Sequence, residues 1–98
     1  MTLHVINKTD AALWQLLLNA VMPADAVLLI EDAVYAALPG YALVTALLTT
    51  YPALQFHVLA DDLAARGISA KIRPGFACVT CSEFVALTID HARVVNWH

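Results

Sequence analysis

Leu28-Leu29-Ile30-Glu31-Asp32-Ala33-Val34-Tyr35-Ala36-Ala37 is the stretch on which the fold turns. An apolar run that begins at Ala26 stops at two acids and resumes as small and aromatic residues. Such a run, rich in Val, Leu and Ile, suits a strand covered on both faces, as strands of parallel sheets are. The acids then fall where the strand emerges at its carboxyl end. Asp32 is placed to cap a following helix by accepting from its free amides. In open α/β sheets ligands and partners bind at that edge. Glu31 and Asp32 are therefore candidates for a partner-binding edge, a cap plus a contact, because adjacent strand residues point to opposite sides.

Outward from this stretch, strands and helices alternate. Leu3 to Ile6 reads as a first strand, and Asp10 is a natural cap for a helix over Ala11 to Ala20, with Leu13, Leu16, Leu17 and Val21 at helical spacing. Pro23 stops that helix. The second strand runs from Ala26 to Ile30, and Val34 to Ala37 forms a short helical turn ended by Pro39-Gly40. Ala42 to Thr50 is the next helix, and Gln55 to Leu59 the third strand. Asp61 or Asp62 caps a helical turn that finishes at Gly67, with Arg66 near its negative end. Ser69 to Ile72 reads as a weaker strand, an edge or an antiparallel addition, and Ala77 to Val79 as the last short strand. Thr80-x-x-Glu83 is a capping-box pattern opening a final helix to about His91. The order predicts an α/β fold, a mostly parallel sheet with helices on both faces.

Four blocks of the chain together resemble the TusB/DsrH family of sulfur-relay subunits. The central stretch is similar to its "LL-x-E/Q-D-G-V-x-A-A" signature, with Ala33 where the family has Gly. Leu3-His4-Val5-Ile6-Asn7-Lys8-Thr9 resembles its opening strand and polar turn, and Val58 to Gly67 its "V-x-x-L-x-x-D-L-x-A-R-G" block. Phe84-Val85-Ala86-Leu87-Thr88, with Trp97 near the end, resembles its closing helix and terminal Trp. The resemblance spans nearly the whole chain and implies one flavodoxin-like (DsrE/F/H-like) domain over residues 1–98. It also implies TusC-like and TusD-like partners in a hetero-oligomer. In that system a cysteine of the TusD-like chain receives sulfur from TusA and passes it through TusE toward the wobble uridine of certain tRNAs. The DsrH branch, in sulfur oxidation, carries a cysteine in or just after the first helix. Leu18-Asn19-Ala20-Val21 has none, which places this chain nearer TusB and implies a non-catalytic role.

The composition is 61% hydrophobic and 13% charged, against about 45–50% and about 25% in ordinary soluble domains. Asn19, Asp25, Glu31 and Asp32 interrupt every apolar run before the roughly 18 residues a membrane span needs. No membrane role is expected, and Met1 is not followed by a signal-peptide pattern. The surplus suits a cytoplasmic subunit that buries apolar surface against partners. Isolated, it should form a homo-oligomer, with Tyr35 and Leu47 on the short helices as candidate interface residues. Tyr35, Tyr41 and Trp97 read equally well as core. Net charge is −3 with five scattered Lys and Arg, so no direct nucleic-acid contact is expected.

Cys78-Val79-Thr80-Cys81 is the one arrangement that invites a reaction. Cys81 near a helix N-terminus would have its thiolate stabilised, so a thiol or persulfide enzyme, with Cys78 resolving, is the alternative function. Against it stands burial of both residues as small apolar groups, free cysteine being among the most buried types. In a strand, one of the pair should point inward. No second pair exists for a zinc site, and no cofactor is expected. His4 and His57, mid-strand, could ligate or transfer protons, but each reads more simply as a satisfied structural histidine. His91 and His98 read as a helix terminus and a chain end.

Overall fold

The computed structural model describes residues 1–98. Its elements in chain order are β1 Thr2–Ile6, α1 Ala11–Ala20, β2 Ala26–Leu29, a 3-10 helix Glu31–Ala37 and α2 Ala42–Thr50, followed by β3 Gln55–Leu59, α3 Ala60–Ala65, β4 Phe76–Val79, α4 Cys81–Asp90 and β5 Arg93–Trp97. The five strands form one sheet in the order β4-β3-β2-β1-β5. Every neighbouring pair is parallel.

That order sorts the helices. The first three crossovers step in one direction across the sheet, so right-handed connections put α1, α2 and α3 on a single face. The crossover from β4 to β5 steps back over the whole sheet and puts α4 on the other. Side chains follow suit. On the crowded face Ile6, Val27, Leu29, Phe56 and Val58 pack with Trp14, Leu17, Val44, Leu47, Leu63 and the small residues of the 3-10 helix. On the open face Leu3, Val5, Ala26, Leu28, Leu59 and Val79 meet Ile30 and, from α4, Phe84 and Leu87. Five strands at about 4.8 Å spacing span about 20 Å, roughly twice the width of one helix. All 25 buried residues lie between Leu3 and Val79, none in α4 or β5.

Local chemistry sets the boundaries. Asp10 caps α1, its carboxylate accepting from the Ala12 amide at 3.0 Å. Trp14 is fixed in the core by its indole N–H, which donates to the Lys8 carbonyl at 2.7 Å, and by an edge contact with Tyr41. Thr80 and Glu83 form the expected capping box. Gly67 ends α3 at φ +67°, where an L side chain is strained.

Three expectations are corrected. Ser69 to Ile72 is not a strand: the Lys71 amide donates to the Ile68 carbonyl, making a turn. The fifth strand is Arg93–Trp97, parallel to β1. Its Val94-Val95 pair is too short a run to show beside a charged and half-exposed flank. Asp32 does not cap the helix after β2, which has no side-chain cap at all. No single helix is long and apolar enough to cross a membrane, and the one apolar pair, the 3-10 helix with α2, is bent by 70°.

Candidate functional site

At the carboxyl ends of β2 and β3 the chain concentrates charge. Glu31 leaves β2 with φ +50°, a left-handed conformation uncommon outside glycine. It falls two residues before Ala33, the position of the family's glycine. Ala33 itself is fully buried against the core. The Glu31 amide, turned out of the strand, donates to Asp62 Oδ2 at 2.6 Å, and its carboxylate accepts from Asn7 Nδ2 at 3.3 Å. The loops after β2 and β3 are thereby tied together.

Arg66 completes the tie. Its Nη2 and Nε donate to Asp32 Oδ1 at 2.8 and 3.1 Å, its Nη1 to the Asp62 carbonyl at 3.1 Å. The guanidinium lies 5.9 Å from the centre of the Tyr35 ring. The Asp32 hydrogen bond, with the charges of Asp32 and Asp62, raises the Arg66 pKa further. Asp32 is 72% exposed, and ion pairs so open contribute little stability. The arrangement positions groups rather than holding the fold. Four carboxylates, Glu31, Asp32, Asp61 and Asp62, share this edge with one arginine.

Of the proposed interface residues, Tyr35 is 42% exposed, on the rim of this edge. Leu47 is fully enclosed in the crowded face, because it lies on the inward side of α2. It cannot meet a partner without unfolding the helix.

The two cysteines are both exposed. Cys78 lies on the edge strand β4, beyond the reach of the covering helices, so neither thiol is buried and the inward-pointing expectation fails. Cys81 opens α4 as expected, but its Sγ donates to Asp61 Oδ2 at 3.5 Å. That hydrogen bond, aided by some loss of solvation and the charges of Asp61 and Asp62, raises the thiol pKa. The direction is opposite to the one expected from the helix N-terminus alone. This edge presents an acidic rim braced by Arg66.

The opposite edge holds a relay that the sequence did not reveal. His4 and Asp25 are 3% and 4% exposed. The Trp97 indole N–H, which can only donate, reaches His4 Nδ1 at 3.1 Å. His4 therefore carries its proton on Nε2 and donates it to Asp25 Oδ2 at 2.9 Å. Asp25 also accepts from the amides of Thr2 and Met22 at 3.0 and 2.9 Å. Burial pushes the Asp25 pKa up, but the hydrogen bonds from His4, Thr2 and Met22 bring it below the ordinary value. The relay floors a recess of about 330 Å³ that Arg93 also lines. Every nitrogen of His4 and both oxygens of Asp25 are engaged, so it locks the last strand to the first. An acid just ahead of β2 and a histidine inside β1 were the available signals.

His57 differs. It faces the open side of β3, and neither ring nitrogen has a partner. Burial, then the nearby charge of His91, lowers its pKa. No three His, Cys, Asp or Glu side chains group as metal ligands.

Comparison with known proteins identifies relatives. The family model described as DsrH like protein matches residues 9–94. Protein TusB of Pectobacterium parmentieri is 37% identical over 81 residues, covering 83% of each chain. Protein TusB of Escherichia coli O81 (strain ED1a) is 30% identical over 99 residues, covering 97% of this chain and 99% of that one. Among solved structures, the ychN protein of E. coli superposes with a TM-score of 0.76 over 98% of this chain and 97% of its own, at 17% identity. At that identity the likeness concerns the fold alone.

Proposed function

The chain belongs to the DsrH-like family, and from that premise we propose that it is a non-catalytic subunit of a sulfur-relay complex supporting 2-thiolation of the tRNA wobble uridine. The observation that carries this reading is the similarity to proteins named TusB over most of their length. Its partners are TusC-like and TusD-like chains, and the complex is cytoplasmic. Two features of this chain support an architectural part. No cysteine lies in or just after α1, and Asp61 raises the pKa of the Cys81 thiol; both speak against sulfur carriage by this chain. An edge of four carboxylates also suits a protein surface better than RNA phosphates.

Deleting the gene and quantifying 2-thiouridine in hydrolysed tRNA by mass spectrometry tests the reading. Thiolation should be lost, and restored by a copy carrying both Cys78→Ser and Cys81→Ser. Unchanged thiolation in the deletion strain sinks the reading. Failure of the double-serine copy, with wild type restoring, would favour the thiol enzyme instead. A defect confined to sulfur oxidation would assign the chain to the DsrH branch.

A further inference from the structure

β5 is held to the sheet by little besides its ladder on β1. No strand lies beyond it, and none of its residues is buried. Its one side-chain hydrogen bond to the rest of the chain is that from the Trp97 indole to His4 Nδ1, 3.1 Å long. The bond needs Nδ1 as an acceptor, because an indole can only donate. We propose that His4, Asp25 and Trp97 form a proton-operated latch: uptake of a proton at His4 Nδ1 expels the Trp97 indole and frees the carboxyl end of β5 from β1.

A proton on Nδ1 sets N–H against N–H, and one of the two groups must leave. His4 is the less free to move. Its Nε2–H is held at 2.9 Å by Asp25, which the Thr2 and Met22 amides fix in turn. These bonds hold the Asp25 pKa below its ordinary value. Asp25 is therefore still an anion when His4 becomes a cation, and their hydrogen bond tightens. Trp97, partly exposed on the edge strand, is the group that yields. Its ring does not retain the imidazolium either. The ring centroids are 6.1 Å apart with planes inclined by 27°. With the bonded nitrogens only 3.1 Å apart, the rings meet edge to edge. The cation then faces the positive rim of the indole, not the negative face that attracts cations.

The surroundings allow the exchange. The recess of about 330 Å³ beside the relay has room for a water to accept from the new Nδ1–H. Asp25 and Arg93 are the charged groups that line it, and Asp25 alone of these bonds to His4. The other neighbours are not ionisable: Ala20 and Met22 at the end of α1, and Val27 and Val95 beside His4 in the flanking strands. Release leaves the β1 edge uncovered, its amides and carbonyls open to another strand. The latch stands on the chain alone and does not depend on the sulfur-relay reading.

NMR of the full chain from pH 8 down to the onset of acid unfolding, with circular dichroism alongside, tests it. As His4 takes up its proton, the Trp97 indole N–H should lose its hydrogen-bonded shift at the same midpoint. It should also exchange with water about tenfold faster, the protection one such bond supplies, and the Val95 and Asn96 amides should lose protection with it. The Trp14 indole, bonded to the Lys8 carbonyl, and the dichroism should not change. In Trp97→Phe, where no donor competes for Nδ1, His4 should take up its proton about one pH unit higher, a tenfold gain in proton affinity. Three results overturn the proposal: a Trp97 indole that stays protected while His4 titrates, a His4 that is protonated only as the dichroism collapses, or a Trp97→Phe chain whose His4 titrates no higher than the wild type's.

Discussion

The two faces of this sheet are built from similar strands and end up as different surfaces. On the crowded face three α-helices and a 3-10 helix close over β1, β2 and β3, enclosing Trp14, Leu17, Val44 and Leu47 completely. On the open face one helix crosses five strands, and its inward residues Phe84 and Leu87 are only half-buried. Composition contributes, since α4 carries Glu83 and Asp90 where α1 and α2 carry no charge, but it does not set the number of helices on each face. That number comes from strand order. Three crossovers in one direction and one in reverse leave three helices against one, whatever their composition.

The largest expected effect is on stability. Trp14→Ala should cost about 3–5 kcal/mol, as truncation of a fully enclosed aromatic does. Phe84→Ala, on the half-covered face, should cost roughly half as much, about 1.5–2.5 kcal/mol. Leu47→Glu should fail to fold, whereas Tyr35→Glu should fold. Urea denaturation of the four variants measures this; equal losses at Trp14 and Phe84 would erase the distinction between the faces.

Acid should expose the open face next. His57 has a lowered pKa in the folded chain, so the unfolded chain takes up its proton first, and stability falls as pH drops below about 6.5. His57→Leu should flatten stability between pH 7 and 5. Asp25 works in a lower window. Its folded pKa lies below 3.8, so its contribution is full above that value and is lost as pH falls through the folded pKa. Denaturant midpoints measured across pH 7 to 3 would separate the two, and a His57→Leu chain that retained the loss above pH 5 would reassign it.

The smallest effect is chemical. Asp61 raises the Cys81 pKa, so alkylation of Cys81 in a Cys78→Ser chain should accelerate only above the ordinary thiol range. Asp61→Asn should move that rise to lower pH by removing the opposing charge. An unchanged profile would mean that Asp61 does not govern the thiol.

Much of the fold was legible because local rules agreed with it. Asp10, Pro23, Thr80 and Glu83 start and stop their helices where capping and proline chemistry place them. The uninterrupted apolar runs at Ala26 and Gln55 became the central strands. The edge strand β5 was not legible, since a strand paired on one side only need not be apolar, and the side-chain bond that ties it to β1 runs from Trp97 to a histidine 93 residues away. Of the candidate edge, Glu31, Asp32 and Tyr35 stand together at the carboxyl ends as the sequence suggested. Their organiser, Arg66, had been read only as a helix-end charge. Leu47 was misplaced because helical spacing in α2 does not say which side meets the sheet.

What the sequence by itself determined is the alternation of elements, the parallel sheet, the acid edge after β2 and the family, all written in short-range pattern. What only the tertiary structure decided is which residues lie within hydrogen-bond reach across the chain. Asp61 raised the Cys81 pKa where a helix N-terminus was expected to lower it, Trp97 and Asp25 used up both nitrogens of His4, and the return crossover left the outer side of α4 exposed. Each depends on separations in space between residues distant in sequence, and electrostatic and steric effects act over those separations, not along the chain.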